Sequence, residues 1–292
     1  MLSLMGRPQS RCTVTIDREQ RGLRDTMMNR RTFSTTLLAG VATSVAGIRN
    51  EARAAAVAAP SAVPARNVVL IHGLYADGSS WSDVITRLQS AGLRATAVQT
   101  TLRSFADDVA LTRLVLGMQD GPTVLVAHSF GGMILSETGV HPNVSSLVYV
   151  AARAPDAGED YARLAARFPK PPASAGLVTT NGLQQLNETA FLNDFANGVD
   201  PARAGVLYAV QAQNAATLPA TAKTTVAAWR SKPSWYAVSK RDRTINPDLE
   251  RFMAARMKAT TIEVDTGHLS LVSHPQQISD LILSAARGEA KS

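Results

Sequence analysis

The chain has 292 residues, of which 45% are apolar and 18% charged, and a formal net charge of +7. That is the composition of a globular protein able to bury a sizeable core, and it excludes a disordered, collagen-like or coiled-coil chain. The basicity is local: residues 1–56 hold nine arginines against four acids, the rest nets only +2, and no basic run interleaved with aromatics suggests a nucleic-acid partner.

The N-terminal segment reads as an export leader over residues 1–56. Met27-Met28-Asn29-Arg30-Arg31-Thr32-Phe33 leads into an uncharged stretch at 34–48, and Ala52-Arg53-Ala54 is an A-x-A cleavage candidate. This is the grammar of a twin-arginine signal at 27–54. Its apolar stretch is shorter than the roughly 20 residues needed to span a bilayer, so membrane contact is expected only through the leader and the mature protein is expected in the periplasm or outside the cell. The polar stretch 1–26 ahead of such a signal suggests that translation starts at Met27 or Met28. The single cysteine, Cys12, lies in the removable part, so the mature body would hold no thiol for a disulfide, a metal or nucleophilic catalysis. Residues 57–65, built only from Ala, Val, Pro and Ser, with no large apolar side chain to anchor them, read as a linker.

From residue 66 to the end, short β-branched runs alternate with segments of helical period. This predicts a single α/β domain with a mostly parallel, doubly wound sheet. Strands are expected at 68–71, 95–98, 123–127, 146–150, 234–238 and 260–264, each short and apolar as buried parallel strands are. Helices are expected at 81–89, 105–116, 132–137, 247–256 and 276–286. Ser104 and Asp107 form a plausible capping box for the second helix, and Asp107 and Asp108 read as acids favoured by a helix N-terminus rather than as a catalytic pair. The rhythm breaks at about 153–232, which lacks convincing strands but has helical stretches such as 200–213. An insertion of that length reads as a helical lid, with Phe168, Phe191, Phe195, Tyr208 and Trp229 mostly forming its own small core.

The decisive segment is Thr123-Val-Leu-Val-Ala-His-Ser-Phe-Gly-Gly-Met-Ile-Leu, an expected strand that passes through Ser129 straight into a helix. That is the setting of a nucleophile elbow, in which small neighbours let the serine hydroxyl project above the sheet. Ala127 stands where the motif G-x-S-x-G has its first glycine. A serine hydroxyl needs a base to take its proton and an acid to orient that base. Of the five histidines, His72 and His128 sit beside tight turns, His141 ends a helix and His274 precedes Pro275. His268 follows the last expected strand on a glycine-containing loop, where the base belongs. Asp242, just past the preceding strand, is the favoured acid. Asp265 is its main rival, and Asp248 lies further into the next helix. The tetrahedral oxyanion would be held by the backbone N–H groups of Phe130, next to the serine, and Leu74, in the loop after the first strand. No metal or organic cofactor is implied.

Val-Leu-Ile-His-Gly with Trp81, Ala-His-Ser-Phe-Gly-Gly, Lys-Arg-Asp-Arg-Thr-Ile-Asn-Pro and Gly-His-Leu-Ser-Leu-Val-Ser-His-Pro together resemble the α/β-hydrolase superfamily over roughly residues 66–287. More narrowly, they resemble the branch of plant methylesterases, hydroxynitrile lyases and small bacterial esterases. The resemblance implies that lyases of that branch carry threonine where this chain has Gly73 and lysine where it has Leu269, so both positions look like the esterases. Ser129 argues against the aspartate-nucleophile members. The implied activity is hydrolysis of a small carboxylic ester through an acyl-enzyme on Ser129. The alternatives are a cofactorless lyase or carbon–carbon hydrolase with the same triad, or a ligand-binding member without activity. Neither the natural ester nor the oligomeric state is legible in the sequence.

Overall fold

The computed structural model describes residues 64–289, so the leader at 1–56 and all but the end of the linker at 57–65 lie outside the described residues. Six strands form one parallel sheet: β1 (Asn67–Ile71), β2 (Arg94–Val98), β3 (Thr123–His128), β4 (Val144–Val150), β8 (Ser234–Ser239) and β9 (Thr260–Val264), in the order β2-β1-β3-β4-β8-β9. All six strands expected from the sequence are present, each within two residues of the expected start. The four inner strands are wholly or almost wholly buried, as continuous apolar runs require, whereas β2 and β9 at the edges are half exposed along most of their length.

Helices cover the sheet. Pro275–Arg287 shows why one of them forms: proline opens the first turn, where no N–H is needed, and Gly288 closes it with φ 70°. Its buried members Ile278, Leu281, Ile282 and Ala285 repeat at three- and four-residue intervals, which makes one apolar face. Gly131–Thr138, by contrast, is buried all round and runs through the middle of the molecule. Ser104 caps Phe105–Gly117 as expected, accepting from the Asp107 N–H at 3.4 Å. Asp108 does more than complement that helix end. It is fully buried, and its Oδ1 accepts from the Thr101 N–H at 2.8 Å, tying down the loop that carries Leu102 at φ 56°.

The stretch between β4 and β8 corrects the sequence reading. It contains a small antiparallel sheet of β5 (Leu177–Thr180), β6 (Leu183–Leu186) and β7 (Asn214–Ala215), where no strands were expected. The hairpin between β5 and β6 turns on Asn181-Gly182, both at positive φ (50° and 78°), the conformation that a two-residue turn between twisted strands demands. The strands escaped notice because β5 is exposed on every residue and shows no alternation. The helical stretch expected at 200–213 is shorter, Pro201–Ala209, and a π-helical turn at Phe191–Phe195 precedes it.

Strand order sets the position of the site. The chain goes out from β1 to β2 on one side and returns to β3 on the other, which makes β1/β3 the topological switch point, where sheets of this kind form a crevice at their carboxyl edge. Ile71 is in register with Ala127, and Ser239 with Val264, so the loops after β1 and β3 leave the edge side by side, as do those after β8 and β9.

Candidate active site

Ser129 follows β3 directly and has φ 53°. A residue with a side chain in this left-handed region costs of order 1–3 kcal/mol and persists only where the surroundings over-determine it. Here they do: its N–H donates to Val150 O at 3.2 Å, and its carbonyl accepts from the Gly132 and Arg153 N–H groups at 3.1 and 2.9 Å. The loop after β1 presses against the same turn. A Cβ on Gly73 would lie 2.6 Å from Ser129 Cβ, so only glycine lets Leu74 approach the serine this closely. Among the described residues the backbone N–H groups of Leu74 and Phe130 donate no hydrogen bond, which leaves both free for an incoming oxygen. Ala127, in the position of the motif's first glycine, is buried within β3, and the turn forms around its methyl.

His268 and Asp242 meet behind this turn. His268 Nδ1 lies 2.5 Å from Asp242 Oδ2, with both side chains fully buried. The other carboxylate oxygen, Oδ1, accepts from the Thr244 and Ile245 N–H groups at 2.6 and 2.9 Å, which fixes the orientation of the carboxylate. A carboxylate on Nδ1 leaves Nε2 as the basic nitrogen of the neutral ring. Nε2 is buried and has no hydrogen-bond partner among the described residues, which leaves it available as an acceptor. The two rival acids are elsewhere: Asp265 is exposed against Arg241 at 3.3 Å, and Asp248 is exposed against Arg251 at 2.8 Å.

His72 and His128 are fittings of the scaffold. His72 donates from Nδ1 to Gly73 O at 3.0 Å and accepts the Thr100 N–H on Nε2 at 3.2 Å. His128 donates from Nε2 to His268 O at 3.1 Å, holding the loop that carries the base. Burial lowers the pKa of both, that of His128 well below the ordinary histidine range, with the neighbouring His268 adding to the effect.

Four residues at the site escaped the sequence reading. Phe195, expected in a separate small core, stands with its ring 5.2 Å from that of His268 and 5.9 Å from that of Tyr75, presented by the π-helical turn. Asn197, two residues on, donates from Nδ2 to Arg241 O at 2.8 Å and packs so tightly on Gly267 that a Cβ there would lie 2.0 Å from its side-chain oxygen. Glu250 is fully buried, with Oε2 accepting from the Ser239 N–H at 3.1 Å and Oε1 lying without a donor. Burial, then the adjacent negative charge of Asp242, raises its pKa well above the ordinary carboxylate range. Two neighbouring carboxylates oppose each other's ionisation, and the upward shift falls on Glu250. Arg153 follows β4 and lies over the rings of Phe130 and Tyr161. A signal existed for Glu250, a charge three and four residues from the buried Met253 and Ala254 on the apolar face of its helix. Nothing in the sequence singled out Phe195 among the other aromatics of the insertion.

The model of the α/β-hydrolase family matches residues 68–281. The chain belongs to the α/β-hydrolase family. The resemblance read from its motifs is thereby borne out, as is the mostly parallel doubly wound sheet. Among curated proteins, this α/β hydrolase is similar to a carbendazim-hydrolysing esterase of Nocardioides sp. (strain SG-4G), with 30% identity over 126 residues. The match takes in 38% of this chain and spans about half (52%) of that esterase. Among solved structures, the hydrolase is similar to a pyrethroid hydrolase from Sphingobium faniae JZ-2, with TM-score 0.63 and 16% identity over 78% of this chain and all of that one. It is also similar to polyneuridine aldehyde esterase (TM-score 0.64, 19% identity) and to an extracellular α/β-hydrolase from a Paenibacillus species (TM-score 0.63, 19% identity), each over 75% of this chain and 98% of that one. At such identities these structures speak for the fold.

Proposed function

We propose that this α/β hydrolase is a serine esterase that cleaves a small carboxylic ester through an acyl-enzyme on Ser129. The observation that carries this reading is the buried His268–Asp242 pair, which reserves Nε2 as a base beside a serine held at φ 53°. In this mechanism His268 Nε2 takes the Ser129 proton as Oγ attacks the ester carbonyl, and Asp242 stabilises the imidazolium. The N–H groups of Leu74 and Phe130 receive the oxyanion. The imidazolium then protonates the departing alcohol, and a water activated by the same nitrogen releases the acid.

Leu269, buried directly after His268, puts an apolar wall where the resemblance implies that the lyases carry lysine, which supports the esterase over the lyase reading. The insertion at 153–232 supports a cover over the site, because it brings Phe195 against the base. The leader is proposed to direct twin-arginine export, with residues 57–65 as linker and the hydrolase working outside the cytoplasm.

The test is hydrolysis of short para-nitrophenyl esters by the chain from Ala55 onward, beside Ser129→Ala. Turnover lost in the variant, with a fluorophosphonate label on Ser129 of the parent, supports the reading. Turnover equal in both proteins overturns it. Cyanide release from a cyanohydrin without ester turnover would favour the lyase, and neither activity a binding role.

A further inference from the structure

The cation beside the nucleophile has no counter-charge. Among the described residues, Arg153 pairs with no carboxylate, as is also true of Arg163 and Arg167, whereas Arg243, Arg251 and Arg256 all do. Its backbone is fixed by the elbow itself through the N–H bond to Ser129 O. Its guanidinium carbon lies 5.3 Å from the ring centroid of Phe130, the residue after the nucleophile, and 4.7 Å from that of Tyr161. The charge is also felt at the Tyr75 hydroxyl, on the residue after Leu74. The guanidinium therefore lies near the side chains of the residue after Ser129 and of the residue after Leu74.

Stacking on rings could by itself account for an arginine here. It uses the guanidinium faces, however, and leaves the five in-plane N–H groups to be satisfied at the edge. Nε is buried and has no partner among the described residues, while the side chain as a whole is only half-buried. An unpartnered donor fork, held flat by aromatic faces, matches a planar carboxylate in a bidentate pair.

We propose that Arg153 binds an anionic group of the substrate, so that the preferred ester carries a free carboxylate beside the bond that is cleaved. The inference rests on the serine-esterase reading and deepens it. A neutral ester leaves Arg153 without a partner, whereas a half-ester of a dicarboxylic acid, or an ester of a carboxylated alcohol, supplies one.

The experiment compares matched pairs: mono-para-nitrophenyl adipate with para-nitrophenyl hexanoate, for a charge on the acid side, and para-carboxyphenyl butyrate with phenyl butyrate, for a charge on the alcohol side. The parent protein should favour the charged member of one pair by roughly 10- to 100-fold in kcat/KM, as charge-assisted hydrogen bonds of this kind give. Raised ionic strength should weaken that preference. Arg153→Met should abolish it, Arg153→Lys keep part of it, and Arg153→Glu reverse it. Equal kcat/KM within each pair for the parent, or an unchanged ratio in Arg153→Met, overturns the inference while leaving the esterase reading intact. If no ester is turned over, the esterase reading fails separately. Calorimetric titration with adipate then decides the anion site: binding to the parent and not to Arg153→Met supports it, and no binding to either overturns it.

Discussion

Glu250 is buried, held by the Ser239 N–H, and near enough to Asp242 for that residue's negative charge, after burial, to raise its pKa well above the ordinary carboxylate range. Asp242 spends Oδ1 on two backbone N–H groups and Oδ2 on His268. A protonated Glu250 would add a donor to this arrangement without adding charge. A second ionised carboxylate there would pull the proton of the imidazolium towards the acids and hold it back from Nε2.

The pH dependence of stability should reveal this proton. A carboxyl group whose folded pKa is raised binds more protons in the native state than in the unfolded chain, so its contribution is full below the unfolded value near 4.5 and declines as pH rises through the window up to the folded pKa. Glu250→Gln, which retains a donor towards Asp242, should lose this decline. Urea unfolding at pH 5 and pH 8 should show the variant gaining on the parent by about 1.4 kcal/mol for each pH unit inside that window. A constant difference between the two proteins would mean that Glu250 is ionised.

His128 has the opposite sign. Its folded pKa lies below the unfolded value near 6.5, so the unfolded chain takes up the proton first and stability falls as pH drops below about 6.5. Its ring faces His268 and Phe195, and the charge of His72 also opposes its protonation. His128→Gln should flatten the acid limb of the stability curve between about pH 6 and 5, measured by urea midpoints.

Asp242→Asn should lower kcat by roughly ten-thousand-fold, the scale seen when a triad carboxylate is neutralised and the imidazole takes the wrong tautomer. Asp265→Asn and Asp248→Asn, whose carboxylates face solvent and surface arginines, should stay within about two-fold of the parent in the same ester assay and unfold within about 0.5 kcal/mol of it.

Gly73→Ala places a methyl 2.6 Å from Ser129 Cβ, and one of the two turns must give way. The expected cost is about 1–3 kcal/mol in urea unfolding, with a larger relative loss in kcat/KM because the Leu74 N–H moves with the loop. Gly73→Thr should be worse on both counts. Unaltered kcat/KM in Gly73→Ala would remove Leu74 from the oxyanion site.

Phe195→Ala should destabilise the fold by about 3–5 kcal/mol, as the loss of a buried ring does, and Phe195→Leu by less than about 1.5 kcal/mol. Urea unfolding monitored by tryptophan fluorescence would give both values. Little cost in Phe195→Ala would show that the ring only rests against His268 and Tyr75.

The sequence is legible where geometry leaves it little freedom. A buried parallel strand must be apolar along its length, and a strand that runs through a serine into a helix admits few residue types, so β3 and Ser129 stand out. His268 and Asp242 follow from chain order and from the strand ends. The insertion is opaque for the converse reason. Its hairpin pairs an exposed strand with a half-buried one, each with two apolar residues of four, so the one clear mark is Asn181-Gly182, a turn signal without alternating flanks. Phe195, Asn197 and Arg153 act across long stretches of sequence, and no local pattern shows which distant loop they touch. Glu250 could have been found, because a carboxylate on an apolar helix face needs a partner.

Asn197 joins parts of the chain that are far apart in sequence. It belongs to the insertion, yet it is wedged against the glycine before the base and bonded to the carbonyl before the acid. A displacement of this part of the insertion would withdraw that wedge, and with it one of the supports of the loops that carry His268 and Asp242, the others being the His128 bond to His268 O and the Thr244 and Ile245 N–H groups on Asp242. The insertion is thus a brace for the two loops at the carboxyl edge of β8 and β9 as well as a neighbour of the site.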